Sequence, residues 1–222
     1  MFRRRRAKHR LFSRILILLI ILLAIFSTIA ILYPLNYTEY INKYSEEYDI
    51  DPLLVAAIIN VESKYNKDAI SPKDARGLMQ IGPTTGEWAA DDLNIENYNP
   101  NMLFIPEINI RIGIWYLSML RNEFGDNLDL ILAAYNAGSG NVQSWIKNAL
   151  YSIDGINLDN IPFKETADYI LKVKSNLKIY NLFYDNKISN SEDFGQKYLQ
   201  LMNGIRKYLL NISDSYSKED IV

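Results

Sequence analysis

Glu62 closes an apolar run, Leu53, Leu54, Val55, Ala56, Ala57, Ile58, Ile59 and Val61. A polar, glycine-containing stretch follows and ends in the short run Leu78-Met79-Gln80-Ile81. A carboxyl at such a junction sits where a helix meets a cleft, a suitable place for a general acid. The apolar segment implies partial desolvation, which disfavours the charged carboxylate. The last turn of a helix is also the negative end of its dipole, which disfavours it again. Both effects raise the pKa, and a carboxyl still protonated at neutral pH can give its proton to a leaving oxygen. Position alone favours a second reading, a solvated glutamate at a frayed helix end.

Composition removes most other chemistries. The 222 residues contain no cysteine, and the single histidine, His9, lies in a basic tail. Neither a disulfide framework nor a thiolate metal site is available. Ser-His-Asp chemistry, Cys-His chemistry and histidine-ligated zinc are likewise excluded from the folded region. Acid-base work falls to Asp, Glu, Tyr or Lys, and no metal or organic cofactor is expected.

The elements that must position Glu62 read as helices. Asn36 to Tyr48 carries Tyr37, Ile41, Tyr44 and Tyr48 at helical spacing. Asp51-Pro52 is a helix start, a capping carboxylate with proline at the first helical position. Pro52 to Ser63 is apolar almost all round and belongs in the middle of a core. Turn signals over 64–83 predict irregular structure, with a short extended piece near Leu78 to Ile81. Further helices are predicted over Thr84–Asp91, Pro106–Phe124 with Gly125 ending it, Asn127–Asn136, Asn141–Leu150 and Thr166–Tyr180, with a loop over Asn94–Pro106. Ala137-Gly138-Ser139-Gly140 is expected to break the chain between two of these. Asp193–Leu210 repeats apolar residues amphipathically. No strand set and no internal repeat is visible, so the fold class is mostly α, a helical domain with a cleft.

The N-terminus has a different character. Residues 1–14 hold seven basic residues and no acid, and Ile15 to Tyr33 follows without a charge. A run of that length spans the hydrocarbon core as a helix, and the basic block stays cytoplasmic by the positive-inside rule. A cleaved signal peptide competes, but its apolar region is usually shorter, about 7 to 15 residues. The expected organisation is a basic cytoplasmic tail (1–14), a single-pass membrane anchor (15–34), an extracytoplasmic catalytic domain (35–185) and a C-terminal amphipathic helix and tail (186–222). Outside the tail, 17 basic residues face 26 acidic ones, a formal charge of −9. Such a surface argues against nucleic-acid binding.

Four blocks add specificity. They are Glu62-Ser63; Ser71-Pro72 followed by Gly77-Leu78-Met79-Gln80-Ile81; Ala134-Tyr135-Asn136-Ala137-Gly138; and Ile161-Pro162-Phe163-Lys164-Glu165-Thr166-Ala167-Asp168-Tyr169. In that order and spacing, over residues 50–180, they resemble the soluble lytic transglycosylase family, which has a lysozyme-like fold. The resemblance implies cleavage of the β-1,4 bond between N-acetylmuramic acid and N-acetylglucosamine in peptidoglycan glycan strands. The muramic acid C6 hydroxyl, not water, attacks C1 and leaves a 1,6-anhydro product. Glu62 would be general acid and then base, and the sugar's 2-acetamido group would take the place of a second carboxylate.

By the same resemblance Ser63, Ser71, Gln80, Asn136 and Tyr169 would support the substrate. Tyr169 would present its hydroxyl to Glu62 or the acetamido group. Each also has a plainer reading: a core tyrosine for Tyr169, loop hydrogen bonds for Ser71 and Gln80, a helix end for Asn136. Gly77 would allow close backbone approach, with Met79 and Tyr135 as packing. Gly82 and Ser139 depart from the family pattern, where a larger residue and a proline are common. Two other readings stay open: a hydrolytic goose-type muramidase, for which Asp74, Asp91 and Asp92 are the nearest second carboxylates, and a non-catalytic glycan-binding scaffold of an envelope machine.

Overall fold

The computed structural model describes residues 2–184, with side chains from residue 12 onward, and its regular elements are helices apart from two isolated bridges. The expected amphipathic helix over Asp193–Leu210 lies outside the described residues.

Helix α1 (Phe2–Leu32) contains a 21-residue stretch, Phe12–Leu32, long and apolar enough to cross a membrane. Two of its hydroxyls are satisfied within the helix: Ser27 donates to the Leu23 carbonyl at 2.8 Å and Thr28 to the Ala24 carbonyl at 2.9 Å. That is what hydrocarbon demands of a polar side chain. This helix belongs to one unit of the chain, and the domain from Tyr37 onward to another.

The domain is built from α2 (Thr38–Tyr48), α3 (Pro52–Glu62), α4 (Pro83–Asp92), a 3₁₀ turn (Pro100–Phe104), α5 (Pro106–Phe124), α6 (Leu128–Ala137), α7 (Ser139–Ile146) and α8 (Lys164–Tyr184). Prolines start α3, α4 and α5, where a missing N–H costs nothing. Asp51 caps α3 by accepting the Leu53 N–H at 2.8 Å. Val55, Ala56, Ala57, Ile58 and Ile59 are all fully buried, so α3 has no solvent face along most of its length. It packs along α8 and against α2, while α5 packs on α2, α4 and α6. Fully burying each large aliphatic side chain contributes roughly 1.5–3 kcal/mol. An amide pair, Asn60 Nδ2 to Asn176 Oδ1 at 2.8 Å, joins α3 to α8, and the Tyr44 hydroxyl donates to Glu107 at 2.8 Å between α2 and α5.

Several boundaries differ from the sequence expectation. Leu78 to Gln80 is a turn, not an extended piece; only Ile81 pairs, with Arg76, which also bridges to Ile70. The expected loop over Asn94–Pro106 contains the 3₁₀ turn, opened by Asn99, whose side chain accepts the Asn101 N–H. Gly138 alone separates α6 from α7, which begins at Ser139 and ends at Ile146 rather than running from Asn141 to Leu150. Helix α8 starts two residues earlier than expected and continues to Tyr184, where the Tyr180 and Tyr184 rings meet at 5.6 Å.

Candidate active site

The last turn of α3 delivers Glu62 to the point where the chain reverses. Ser63 ends the helix, and Lys64 and Tyr65 both take positive φ, 51° and 62°. Such strain in two consecutive side-chain-bearing residues needs support, and Tyr65 is anchored by burial. The Ser63 hydroxyl points between two carbonyls, nearer to Leu78 (2.8 Å) than to Ile59 (3.2 Å), and so ties the helix end to the Leu78–Gln80 turn.

That turn is assembled from within the core. Asn109 on α5 is fully buried. Its Oδ1 accepts the Met79 N–H at 2.7 Å, and its Nδ2 donates to the Arg76 and Leu103 carbonyls at 2.9 and 2.8 Å. Gly77, at φ 77°, lies so close that an added Cβ would meet the Leu103 carbonyl at 2.1 Å and Asn109 Nδ2 at 2.4 Å. One turn along α5, Gly113 leaves room for Met79, whose sulfur would stand 2.3 Å from a Cβ there. Asn109, Gly113 and Tyr116 fall at i, i+4 and i+7, one face of the helix. Sequence reasoning missed Asn109; a lone amide among Ile108, Ile110, Ile112 and Ile114 was the available signal.

The turn holds Gln80 in a left-handed conformation (φ 49°), with its Nε2 donating to the Ala69 and Gly77 carbonyls at 3.1 and 2.9 Å. Ser71 Oγ accepts the N–H groups of Lys73 and Ala75, fixing the preceding loop. The Tyr135 hydroxyl, on α6, donates to the Met79 carbonyl. Next to it, Asn136 Oδ1 accepts the Thr166 hydroxyl at 2.8 Å, joining the end of α6 to the start of α8. Tyr169, one turn further along α8, is buried.

These elements converge on Glu62. Although part of the residue still reaches solvent, its carboxyl is surrounded by protein, and burial pushes its pKa up to about 7. The Tyr169 hydroxyl beside it works in the opposite direction, steadying the charged form, and the charge of Glu165 raises the pKa further. Tyr169 and Tyr135 feel Glu62 in return: burial first, then its negative charge, hold both phenols well above their ordinary range. The Tyr169 oxygen is buried and approaches the carboxylate without reaching strict hydrogen-bonding geometry with any described protein atom. It is a donor held ready beside an acid that changes charge near neutral pH.

The structure therefore gathers Glu62, Tyr169 and Tyr135, walls them with the Met79–Gln80 turn, and braces that wall through Ser63 and Ser71, while Asn136 ties α6 to α8. Of the acids considered as a second carboxylate, Asp74 pairs with the Arg76 guanidinium at 2.9 and 3.0 Å, and Asp92 accepts the Trp115 indole N–H at 2.8 Å. Asp91 is exposed on α4. The acid whose field reaches Glu62 is Glu165, which the composition argument did not single out. No group of three or more metal-ligating side chains occurs among the described residues.

Comparison with known proteins agrees with this arrangement. A family model described as the transglycosylase SLT domain matches residues 39–153. The soluble lytic murein transglycosylase of Escherichia coli K12 is 35% identical over 170 residues, covering 75% of this chain and 26% of that protein. A membrane-bound lytic murein transglycosylase C from Histophilus somni is 31% identical over 178 residues, covering 71% of this chain and 48% of its own length. Among solved structures, the 70 kDa soluble lytic transglycosylase of Escherichia coli superimposes with a TM-score of 0.61 at 34% identity over 71% of this chain and 26% of that one. An inactive glutamate-to-glutamine mutant of the lytic transglycosylase Slt from Pseudomonas aeruginosa gives 0.60 at 30% identity, over 69% and 25%. The chain thus spans about a quarter of the length of the first of these curated relatives.

Proposed function

The chain belongs to the transglycosylase SLT domain family and has its mostly α, lysozyme-like fold, and on that premise we propose that it cleaves the β-1,4 bond between N-acetylmuramic acid and N-acetylglucosamine in peptidoglycan, leaving a 1,6-anhydromuramic end. The observation that carries this reading is the Glu62 carboxyl, buried beside Tyr169 and titrating at about 7. A group half-protonated at neutral pH serves as acid in one step and base in the next.

Glu62 gives its proton to the bridging oxygen as the C1–O bond breaks, and the N-acetylglucosamine leaves as an alcohol. The 2-acetamido group of the muramic residue stabilises the cationic C1. The C6 hydroxyl then adds to C1 while Glu62, now a carboxylate, takes its proton, which restores the starting acid. Tyr169 donates to the carboxylate during the interval in which it is charged. The wall residues keep one capacity each for substrate. Gln80, its Nε2 engaged, offers Oε1; Ser71, accepting two backbone N–H groups, offers its own O–H; Asn136 offers Nδ2; Ser63 fixes the helix end on which Glu62 sits. The scheme calls on no metal or organic cofactor. The inactive glutamate-to-glutamine mutant of the Pseudomonas relative supports a carboxyl-dependent reaction. The apolar stretch Phe12–Leu32 and the basic residues before it support a single-pass anchor with its N-terminus cytoplasmic and the domain on the outer face of the membrane.

A hydrolytic muramidase has one observation in its favour, the nearby Glu165. Mass spectrometry of digested peptidoglycan separates the readings, because anhydro ends are one water lighter than reducing ends. Anhydro ends are the expected product. Reducing ends alone would replace the transglycosylase by a hydrolase, and glycan binding without soluble product would make the protein a scaffold.

A further inference from the structure

The end of α3 remote from Glu62 borders a recess that the chemistry of the acid does not use. With a rise of about 1.5 Å per residue, Pro52 at the start of the helix lies about 15 Å along its axis from Glu62. A cup of about 170 Å³ opens there, between the start of α3, the last turns of α5 and the start of α6. Leu117 and Ile131, both buried, and Leu54 and Leu128, both half-buried, form its apolar floor. The volume falls below the roughly 300–1,000 Å³ of small-ligand sites and close to the roughly 150 Å³ that admits a benzene-sized group. It suits a single apolar side chain.

The rim is acidic. Asp49, Asp51 and Asp126 stand around the floor, and Arg121 is the one base of the lining. That base is already engaged: it donates to the Asp49 carbonyl, to the Asp49 carboxylate at 2.8 Å, and pairs with Asp126 at 3.3 Å. The two carboxylates it holds stay open to solvent, Asp49 at 89% and Asp126 at 94% exposure.

A hydrogen bond joins a second apolar feature to this cup. Asn127, between Asp126 and Leu128 in the chain, donates through Nδ2 to Asn157 Oδ1 at 2.8 Å and so fixes the loop that connects α7 to α8. The polar groups of that loop are bonded to one another. Asp154 accepts the N–H groups of Asn157 and Ile156 at 2.7 and 2.8 Å and the Asn157 side-chain amide at 2.8 Å, bonds that hold its carboxyl down at about 2. Asp159 accepts the Ile153 N–H, and Ser152 Oγ that of Gly155. The aliphatic side chains are left outside, Ile153 84% and Ile156 67% exposed. A loop this firmly bonded keeps its apolar groups in water instead of folding them under, the mark of a surface that meets a partner.

The occupant has to satisfy both features. The aspartates repel nucleic acid and anionic lipid headgroups. An apolar side chain fills the cup, a lysine or arginine next to it meets Asp126 and Asp49, and aliphatic neighbours cover Ile153 and Ile156. We propose that this end of the domain is a docking surface for a basic protein segment with an apolar anchor residue. Such a segment binds away from Glu62, and the inference does not depend on the reaction assigned to that acid.

The test uses the full-length protein in nanodiscs. Random dodecapeptides displayed on phage are selected on it, and the selected sequences are synthesised and titrated by fluorescence anisotropy. The expected sequences carry an aliphatic or aromatic residue beside lysine or arginine, and their affinity falls with salt. Ile153→Ser and Asp126→Lys, both at exposed positions, are each expected to weaken binding about tenfold, with Ile153→Leu close to wild type. The chain has no cysteine, so Ile153→Cys carries a single environment-sensitive dye. Its emission is expected to be that of a hydrated dye and to shift to the blue with peptide. Quenching by nitroxide-labelled lipid would assign the loop to the bilayer, and a blue shift that grows with protein concentration would assign it to a second copy. Either result overturns the proposal. So does a selection without basic, apolar peptides, or binding that is indifferent to Ile153→Ser or to Asp126→Lys.

Discussion

The Tyr135 hydroxyl donates to the Met79 carbonyl at 2.8 Å, and this bond fastens the end of α6 to the turn that walls Glu62. The two residues lie 56 positions apart. Met79 is fully buried, so its carbonyl has no water to fall back on. Tyr135→Phe keeps the ring packed on Tyr116 and removes only the donor. The expected cost is roughly 1–3 kcal/mol, seen as a lower melting temperature, together with a raised KM as the turn loosens. Unchanged melting and kinetics would show that the bond holds nothing in place.

Tyr169 presents the opposite case, a buried hydroxyl without a strict partner. Tyr169→Phe removes a polar group that the fold does not satisfy. Stability is expected to hold or to rise by up to about 1 kcal/mol, while turnover falls by roughly ten- to a hundredfold. The hydroxyl also holds the Glu62 pKa down, so its loss moves the alkaline limb of the pH–rate profile to higher pH. Stability and activity falling together, with that limb unmoved, would reduce Tyr169 to a packing residue.

The helices and the burial of the Glu62 carboxyl were legible because their signals are local. Asp51-Pro52 declares a helix start by its own chemistry, and the unbroken apolar run to Val61 requires burial wherever the helix lies. Glu62 inherits its raised pKa from that run. The wall opposite was not legible in the same way. Leu78 to Gln80 has the alternation of an extended piece, but the shape of the turn is imposed by Asn109, some 30 residues later, through three backbone groups at once. The one local mark of that task is an amide standing among isoleucines.

Asn109 and Gly77 are expected to behave as one unit. Asn109→Leu keeps the volume but strands the Met79 N–H and the Arg76 and Leu103 carbonyls, for a loss of about 3 kcal/mol or more. Gly77→Ala places a Cβ 2.1 Å from the Leu103 carbonyl in a left-handed conformation, and backbone must shift to admit it. Thermal unfolding should show both variants well below wild type, and the double variant should lose clearly less than the sum of the two. Strict additivity would mean that the glycine and the amide support the turn separately.

The buried Glu62 carboxyl carries a stability cost whose sign can be worked out. Its folded pKa of about 7 lies above the ordinary 4.5, so between those values the folded chain binds a proton that the unfolded chain has lost. Stability is then present in full below about pH 4.5 and declines as pH rises toward 7, by up to about 3 kcal/mol. Glu62→Gln cannot ionise and escapes that decline. The variant is expected to lose turnover and, relative to wild type, to gain melting temperature progressively from pH 5 to pH 8, by several degrees in a domain of this size. Wild-type activity should fall over the same interval as the acid loses its proton. A constant difference in melting temperature across that range would mean that Glu62 ionises as an ordinary solvated carboxylate, and a group like that has no proton to give a glycosidic oxygen at neutral pH.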